Sequence, residues 1–344
     1  MRSGQLTCGK LVRRFERAWE RRLGRHCVMV NSGSSANLLM IAALVEQRVL
    51  KRGDEVIVPA LAWPTTIWPL VQHGLIPVFV DVLPATFTLD PRQVERAVTP
   101  KTKAVLALHT YGRPCGMQEL QQLCQKHRLF LLEDACEAID APFGTWGRMG
   151  TYSFYFSHHM TTIEGGLVIC ENGTDAAYVR MLRAHGWLRD DCWRYVAVKT
   201  PSWMESTFTF VAAGYNVRPT EIAAAIGLAQ LKKLRRFNVR RLRVARILHS
   251  YMLSLPTFYP PFGFIVFTKH RAEAREHLKA RGIETRPVLA GNMTSQPGMQ
   301  RYPYRSFHCP VTQCLAEEGF SVPCHGTMTD AQAHYVGKCL KEAL

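Results

Sequence analysis

The chain has 344 residues, of which 47% are hydrophobic, and its formal net charge is +16. Because single hydrophobic cores stop growing at roughly 250–300 residues, this length predicts a globular protein with two domains. No apolar run approaches the roughly 18 residues of a membrane helix, and the N-terminal segment lacks the apolar region of a secretory signal, so we exclude a membrane protein and expect a cytoplasmic one.

Two basic segments, residues 11–26 and 231–246, have the spacing of amphipathic helices. Each predicts a helix whose arginines and lysines lie on the solvated face. The alternative is a surface for an anionic partner, either nucleic acid or a phosphorylated small molecule, and charge alone does not separate these two. The eleven cysteines are scattered without a C-x-x-C pair, which is typical of buried, reduced thiols.

Between the basic segments, short apolar runs alternate with helical patterns. Strands are predicted at residues 27–31, 54–60, 76–81, 103–109 and 129–135, and a helix is predicted to begin near Pro91. This alternation predicts a mainly parallel sheet that is covered by helices on both faces. In such sheets the ligand binds beyond the carboxyl ends of the strands.

After about residue 217 the pattern changes. Long helices are followed by one strand, "FGFIVFT", and a further helix, "AEAREHLKARG". We therefore divide the chain into a large domain, residues 1–235, and a smaller C-terminal α/β domain, residues 236–344.

The first predicted strand ends in a turn of small residues, Asn31 to Ala36, that opens a helix. Backbone N–H groups and the helix dipole would point at one spot there, and the hydroxyls of Ser34 and Ser35 would complete an anion site of the kind that binds phosphate. The alternative is an ordinary serine N-cap.

Two other strand ends carry residues that suit a ligand. Asp134 and Glu137 follow the apolar run "LFLL", and a carboxylate at the edge of a core needs a partner such as a protonated ring nitrogen or a structural arginine. Trp63 follows "VPALA" and would offer a flat apolar face at the same rim, with core packing as the alternative.

Two adjacent histidines, His158 and His159, lie in an aromatic run that we predict to be a strand, shortly before the turn signal Glu164-Gly165-Gly166. The phosphate cradle, the aromatic plate, the carboxylate and a residue near position 158 together predict a pocket for pyridoxal phosphate.

These motifs resemble the DegT/DnrJ/EryC1/StrS family, the fold-type I, pyridoxal-phosphate-dependent sugar aminotransferases that act on nucleotide-linked keto sugars. The matching segments follow one another through most of the chain and include "VNSGSSANLLMIAAL", "LLEDACEA", "GTYSFYFSHHMTTIEGG" and "GYNVRPTEIAAAIGLAQL". The resemblance implies an aspartate aminotransferase-like α/β fold, with a mainly parallel sheet in an α/β/α sandwich and a small C-terminal α/β domain.

The resemblance also implies roles for individual residues. Asp134 would keep the pyridine nitrogen of the cofactor protonated, Trp63 would stack on the ring, and Glu137 would lie near the ring oxygen. The remaining residues fall into two sets. The cofactor phosphate would be held by Ser34, Ser35 and Ser153, and by Asn216 of the neighbouring subunit, which implies a homodimer with shared active sites. Contacts to the substrate or to the glutamate carboxylate would come from His185, Arg189 and Arg218.

His158 stands where the aminotransferases of the family have the lysine that binds the cofactor covalently. Imidazole cannot form that bond, but it can move protons near neutral pH. The replacement is similar to the sugar 3-dehydratases of the family. It implies that glutamate converts pyridoxal phosphate to pyridoxamine phosphate, and that His158 is the base while a nucleotide-linked 4-keto-6-deoxyhexose loses its C3 hydroxyl. The alternative is a disabled, binding-only relative of the aminotransferases.

A second branch of the family with the same histidine carries an iron–sulfur cluster and needs a cysteine cluster after the "HGW" segment. Cys192 is the only cysteine in that stretch, and a cluster normally takes four cysteines. We therefore expect no iron–sulfur cluster and no partner reductase. Only 30 residues precede Asn31, so the resemblance also implies that an N-terminal segment of the family is missing.

Overall fold

A computed structural model describes residues 4–140, 142–205, 208–252 and 259–344, and in these ranges it has eleven strands and eleven α-helices. The strands are β1 (His26–Val30), β2 (Glu55–Pro59), β3 (Ile76–Val80), β4 (Thr102–Leu108), β5 (Phe130–Asp134), β6 (Met149–Ser153), β7 (Gly166–Cys170), β8 (Phe264–Phe267), β9 (Arg286–Pro287), β10 (Arg305–Ser306) and β11 (Gly319–Val322). The helices are α1 (Lys10–Leu23), α2 (Gly33–Glu46), α3 (Pro64–Gln72), α4 (Pro91–Ala97), α5 (Met117–His127), α6 (Gly173–Leu182), α7 (Glu221–Leu231), α8 (Leu234–His249), α9 (Arg271–Ala280), α10 (Pro310–Glu318) and α11 (Asp330–Ala343).

Eight strands form one large sheet in the order β1-β7-β6-β5-β4-β2-β3-β10. Strand β7 runs antiparallel to both of its neighbours, and all other neighbouring strands are parallel. The carboxyl ends of β1, β2, β4, β5 and β6 therefore meet at one edge of the sheet. The predicted mainly parallel sheet is confirmed.

Helices cover the large sheet on both faces, as an α/β/α sandwich requires. The side chains of β2 show the alternation: Val56 and Val58 pack in the core that contains α2, whereas Ile57 packs in the core that contains α4 and α5. Because both faces are buried, the parallel strands are apolar throughout, and this is why their positions were readable from the sequence.

The predicted strand at the histidine pair is wrong. Strand β6 ends at Ser153 and β7 begins at Gly166, so both histidines lie in the loop between them. The loop closes on itself, because Phe154 N–H donates to the Gly165 carbonyl and Thr162 N–H donates to the Phe154 carbonyl, both at 2.9 Å. These bonds replace the sheet ladder that an extended strand would need.

The C-terminal part of the chain forms a second, antiparallel sheet in the order β8-β11-β9, with a core of its own against α8, α9 and α11. The predicted "FGFIVFT" strand is confirmed as β8. Strand β10, which also follows residue 235, pairs with β3 in the large sheet. The division at residue 235 remains a prediction. Among the described helices, none has the length and apolar character needed to cross a membrane.

The two basic segments form the amphipathic helices α1 and α8. Helix α1 buries Val12, Phe15 and Trp19 and leaves most of its arginines exposed, as predicted. Helix α8 departs from the prediction at Arg241, which is only 2% exposed.

Glu221, the first residue of α7, caps the start of α1. Its buried carboxylate accepts the N–H groups of Gly9, Leu11 and Val12, each at 2.9 Å. The N-cap residue Gly9 has no side chain that could do this, so Glu221 supplies the acceptors that the first turn of α1 lacks.

We expect the Glu221→Ala substitution to lower the free energy of unfolding by about 2 kcal/mol, because three N–H groups lose a charged acceptor. Urea denaturation followed by circular dichroism measures this change. Glu46→Ala, at the exposed end of α2, is the matched control and should change the free energy by less than about 0.5 kcal/mol. Equal losses in the two variants would contradict the capping role.

Candidate functional site

Asp134 lies at the centre of the carboxyl edge of the large sheet and is only 2% exposed. Its Oδ2 accepts hydrogen bonds from Asn37 Nδ2 on α2 and Thr66 Oγ1 on α3, both at 2.8 Å. Its Oδ1 accepts the N–H of Cys136 at 3.0 Å. A carboxylate offers about four acceptor positions, so this one is held rigidly and keeps capacity for a donor from a ligand.

The residues that hold Asp134 are not among those predicted from the sequence. Asn37 in turn accepts a 2.6 Å hydrogen bond from Thr151 Oγ1 on β6, so α2, α3, β5 and β6 are joined through one buried polar network. The available signal was Asn37 itself, a polar side chain inside the apolar helix "SSANLLMIAAL". A buried amide needs polar partners, and these lie far away in the sequence.

The turn after β1 lies against the end of β6. A Cβ added at Gly33 would lie 2.5 Å from the Cβ of Ser153, so only glycine allows this approach. The N-cap of α2 is Ser32, whose Oγ accepts the Ser35 N–H at 3.0 Å. The ordinary N-cap alternative therefore holds for Ser32, and it leaves the hydroxyls of the next residues at the start of the helix.

The three candidate phosphate-binding hydroxyls lie around this turn. Ser34 is exposed and donates to Thr65 Oγ1 at 3.2 Å, and the Ser35 hydroxyl accepts from Ser32 Oγ at 3.0 Å. Ser153 is the last residue of β6 and is brought against the turn by Gly33. Hydroxyls and N–H groups at a helix N-terminus suit an anion.

Trp63 and Glu137 lie at the same edge. Trp63 is the N-cap residue of α3, three residues before the Thr66 that holds Asp134, and is 53% exposed. Glu137 is buried and its Oε2 accepts the Tyr111 N–H at 2.8 Å. Burial raises the pKa of Glu137 to about 8; the Tyr111 bond opposes this rise and the nearby Asp134 charge adds to it. The Glu137 carboxyl therefore holds a proton near neutral pH and can donate it in a hydrogen bond.

Glu133, the neighbour of Asp134, points to the opposite face of β5. It accepts His109 Nε2 at 2.9 Å and the N–H groups of Gly144, Trp146 and Gly147 at 2.7–2.9 Å. Glu133 thus holds the chain between β5 and β6, whereas Asp134 faces the candidate site.

His158 is half-buried in the loop after β6. The edge-on contact of its ring with Phe262 has a centroid distance of 4.9 Å, and among the described residues its buried Nδ1 has no hydrogen-bond partner. Burial, together with the positive charges of Arg241 and Arg286, lowers the pKa of His158 to about 3. The imidazole is therefore neutral at physiological pH, which is the form that accepts a proton.

His159 has a different environment. It is buried, its Nε2 is 3.0 Å from the Pro260 carbonyl, and burial lowers its pKa well below the ordinary value. Among the described residues the Nδ1 of His159 also lacks a hydrogen-bond partner, so the two histidines differ in exposure: His159 is buried and bonded to the backbone, whereas His158 is only half-buried.

The other predicted contacts form a second group on two paired stretches near residues 184–218. His185 N–H donates to the Tyr215 carbonyl at 2.7 Å, and Arg218 Nε donates to Asn216 Oδ1 at 3.0 Å. The guanidinium of Arg189 lies 4.1 Å from the centroid of the Trp187 ring. The Asn31 N–H donates to the Val217 carbonyl at 3.1 Å, which places this group beside the turn after β1. Ligand contacts of these residues remain predictions.

Cys192 is buried and its Sγ lies 3.5 Å from the Ala177 carbonyl. In the part of the chain that the structure describes, no three or more His, Cys, Asp and Glu side chains come together as a metal site would require. The expectation of no iron–sulfur cluster remains a prediction.

The side chains at this edge fit a pyridoxal phosphate. A rigid carboxylate with spare acceptor capacity suits a protonated ring nitrogen, and hydroxyls at a helix start suit a phosphate. A covalent bond to the cofactor aldehyde would need a side-chain amine. The loop between β6 and β7, residues 154–165, contains two histidines and no lysine.

Comparison with known proteins bears on the same site. The model of the DegT/DnrJ/EryC1/StrS aminotransferase family matches residues 1–341. GDP-4-keto-6-deoxy-D-mannose 3-dehydratase of Escherichia coli O55:H7 is 37% identical over 364 residues, covering 98% of this chain and 94% of the relative. The enzyme of that name from Yersinia pseudotuberculosis is 40% identical over 313 residues, covering 84% and 80%.

A solved structure shows the same likeness in three dimensions. The crystal structure of GDP-4-keto-6-deoxymannose-3-dehydratase with a trapped PLP-glutamate geminal diamine superposes with a TM-score of 0.89 at 34% identity, covering 98% of this chain and 94% of that chain. The predicted fold-type I architecture is confirmed.

Proposed function

Because this chain belongs to the DegT/DnrJ/EryC1/StrS aminotransferase family, we propose that it is a pyridoxal-phosphate-dependent 3-dehydratase of a nucleotide-linked 4-keto-6-deoxyhexose, with L-glutamate as the amino donor. The observation that carries this proposal is His158, a half-buried, neutral imidazole in the loop after β6, where the resemblance implies the lysine of the aminotransferases. The relatives named above are dehydratases of a GDP-linked sugar, so GDP is the nucleotide to test first.

Bound pyridoxal phosphate supplies an electron sink and, in its amine form, the nitrogen that joins the sugar. The protein provides the environment. Asp134 would keep the ring nitrogen protonated, and the Glu137 carboxyl, whose pKa is raised by burial, would donate a hydrogen bond to the ring oxygen. Trp63 would stack on the ring. The phosphate would be held by hydroxyls around the start of α2: Ser34, Ser35 and Ser153.

His158 serves as the base. Its imidazole, which is neutral in the protein without cofactor, would take up the proton from the C4′ carbon of the cofactor before the C3 hydroxyl departs. An imidazole cannot tether the cofactor covalently, so retention of the cofactor depends on Asp134 and on the phosphate contacts. His185, Arg189 and Arg218 are proposed to contact the substrate or the glutamate carboxylate, and the basic net charge suits a diphosphate without requiring nucleic acid.

A homodimer with shared active sites is part of the proposal. Asn216 is exposed, as a residue that reaches a partner's phosphate must be. Large aromatic side chains are exposed on the neighbouring stretch: Trp193 at 61%, Trp203 at 79%, Phe208 at 60% and Phe210 at 55%. Exposed apolar clusters of this kind mark interaction surfaces. Light scattering of the purified protein tests the dimer directly, and a monomer at micromolar concentration would contradict it.

The proposed cytoplasmic location agrees with the cysteines, since no disulfide is formed by the cysteines in the described residues.

The first test of the proposal is an absorbance titration. Protein loaded with pyridoxal phosphate should lose the aldehyde band of the cofactor and gain the amine band when L-glutamate is added. Protein without glutamate, and free cofactor with glutamate, are the controls. An unchanged spectrum in the loaded protein would contradict the proposed glutamate half-reaction.

A further inference from the structure

Arg241 is a buried cation whose hydrogen bonds, within the described part of the chain, go to backbone carbonyls. Its Nη1 donates to the carbonyls of Pro261 at 2.9 Å, Phe262 at 2.9 Å and Cys324 at 2.6 Å. Its Nη2 donates to the carbonyl of His158 at 3.0 Å. A single side chain of α8 therefore bonds the loop that carries the base, the segment before β8 and the residues after β11.

Burying a guanidinium is costly, and carbonyl dipoles offset that cost less fully than a carboxylate does. Burial accordingly lowers the pKa of Arg241 to about 10, which still leaves the side chain charged at neutral pH. A merely structural position could be filled by an apolar side chain of similar volume. An apolar side chain could not form the hydrogen bonds by which the guanidinium joins three separate segments of backbone.

The segment Pro260–Phe262 packs directly on the histidine pair. The Phe262 ring contacts the His158 ring edge-on, and the Pro260 carbonyl is 3.0 Å from His159 Nε2. The same segment contacts the loop after β4, because a Cβ at Gly112 would lie 2.4 Å from the Pro260 carbonyl. A shift of this segment would therefore change the surface on which the imidazole of His158 packs.

We propose that Arg241 is a positioning residue, which holds the His158 carbonyl and the Pro260–Phe262 segment in one arrangement and so determines where the His158 imidazole stands. This inference rests on the proposed function for its consequence in catalysis. The Nη2 of Arg241 holds the backbone carbonyl of His158. Its Nη1 holds the carbonyls of Pro261 and Phe262, and the Phe262 ring is the surface on which the imidazole packs.

The charge of Arg241 has a second effect. After burial, it is the largest cause of the low pKa of His158, ahead of Arg286 from β9. The guanidinium of Arg286 is 54% exposed and pairs with Glu284, so solvent screens it more than the buried Arg241. Two titratable neighbours from its own loop, Tyr155 and His159, also interact with His158. Arg241 thus both positions the imidazole and favours its neutral form.

Two substitutions of Arg241 separate the effect of its hydrogen bonds on the position of His158 from the effect of its charge on the pKa of His158. Arg241→Lys keeps a cation, and its single nitrogen can occupy the place of Nη1 among three carbonyls, but it has no second nitrogen to reach the His158 carbonyl. Arg241→Met removes both the charge and all of the hydrogen bonds. Arg240→Met is the matched control, because the neighbouring arginine of α8 bonds the Met328 carbonyl and Asp330 and does not contact the His158 loop.

The first readout is the titration of His158 by NMR in protein without cofactor, assigned by comparison with His158→Asn. We expect Arg241→Met to raise the pKa of His158 by at least one unit towards the ordinary value of about 6.5. Arg241→Lys and Arg240→Met should leave it within about 0.3 unit. An unchanged His158 titration in Arg241→Met would overturn the charge effect, whatever the enzyme catalyses.

The second readout is the rate of dehydration. Arg241→Lys should lower kcat about tenfold or more while KM stays within about threefold, because a displaced base slows the proton transfer without changing substrate binding. Arg240→Met should have neither effect. If Arg241→Lys keeps the kcat of the natural protein, or if kcat falls only in proportion to the folded fraction, the positioning role is overturned. Absence of dehydration in the natural protein would instead refute the proposed function, and the NMR titration would still decide the charge effect. If Arg241→Met does not fold, a normal His158 ring environment in Arg241→Lys would overturn the positioning role.

Discussion

Replacing His158 by asparagine should lower the rate of sugar dehydration by on the order of 10²–10⁴-fold, because the proposed general base is removed. Asparagine occupies a similar volume and can form hydrogen bonds, but it cannot accept and return a proton near neutral pH. The cofactor contacts at Asp134 and around the start of α2 do not involve His158, so binding of pyridoxal phosphate should be kept. Single-turnover assays with pre-formed amine cofactor measure the rate of the dehydration step.

The matched control is His26→Asn, the same change at the exposed start of β1, which should leave the rate within about twofold. Cofactor binding is followed by the absorbance of the bound aldehyde. A His158→Asn protein that binds cofactor and dehydrates the sugar at the normal rate would contradict the assignment of His158 as the base.

Asp134→Asn should lower the rate of both half-reactions by on the order of 10²–10³-fold, comparable to the loss of one preorganised electrostatic contact. The amide oxygen can still accept from Asn37 and Thr66, but the amide cannot keep the ring nitrogen protonated. Its NH₂ group would also face the Cys136 N–H, so we expect a loss of about 1–3 kcal/mol in unfolding free energy. Stopped-flow absorbance with glutamate and a denaturation curve measure the two effects.

The control for the cost of neutralising a buried aspartate is Asp175→Asn. Asp175 is fully buried and bonds Arg148 and Gln47 at the start of α6, in the part of the sheet away from Asp134. This variant should be destabilised, whereas its rate per folded molecule should be normal. If Asp134→Asn loses only stability, like Asp175→Asn, Asp134 does not act on the cofactor.

The sheet was readable from the sequence because buried parallel strands are continuous apolar runs. Strands β1 to β5 begin and end within one residue of the positions predicted from such runs. The same reasoning wrongly predicted a strand around His158, where the structure has a loop. An aromatic-rich loop and an aromatic-rich strand cannot be distinguished by residue composition. What distinguishes them is the hydrogen bonding of Phe154 with Gly165 and Thr162, which depends on the loop as a whole.

The residues that hold the site were harder to predict than the residues that form it. Asp134 stands at a strand end and could be identified by position, but its partners Asn37 and Thr66 lie 97 and 68 positions away. Arg241 stands among several arginines of a basic helix, and only its long-range contacts with His158, Phe262 and Cys324 show that it is buried. Amphipathic periodicity predicts a face of the helix, and it cannot tell which arginine is enclosed by distant segments.

The most direct test of the central claim is mass spectrometry of the products formed from GDP-4-keto-6-deoxymannose and L-glutamate, with ammonia assayed in the same reaction. The proposed dehydratase should release a GDP-linked 4-keto-3,6-dideoxy sugar and one equivalent of ammonia for each sugar converted. A GDP-linked 4-amino sugar without ammonia release would show an aminotransferase and would contradict the role proposed for His158.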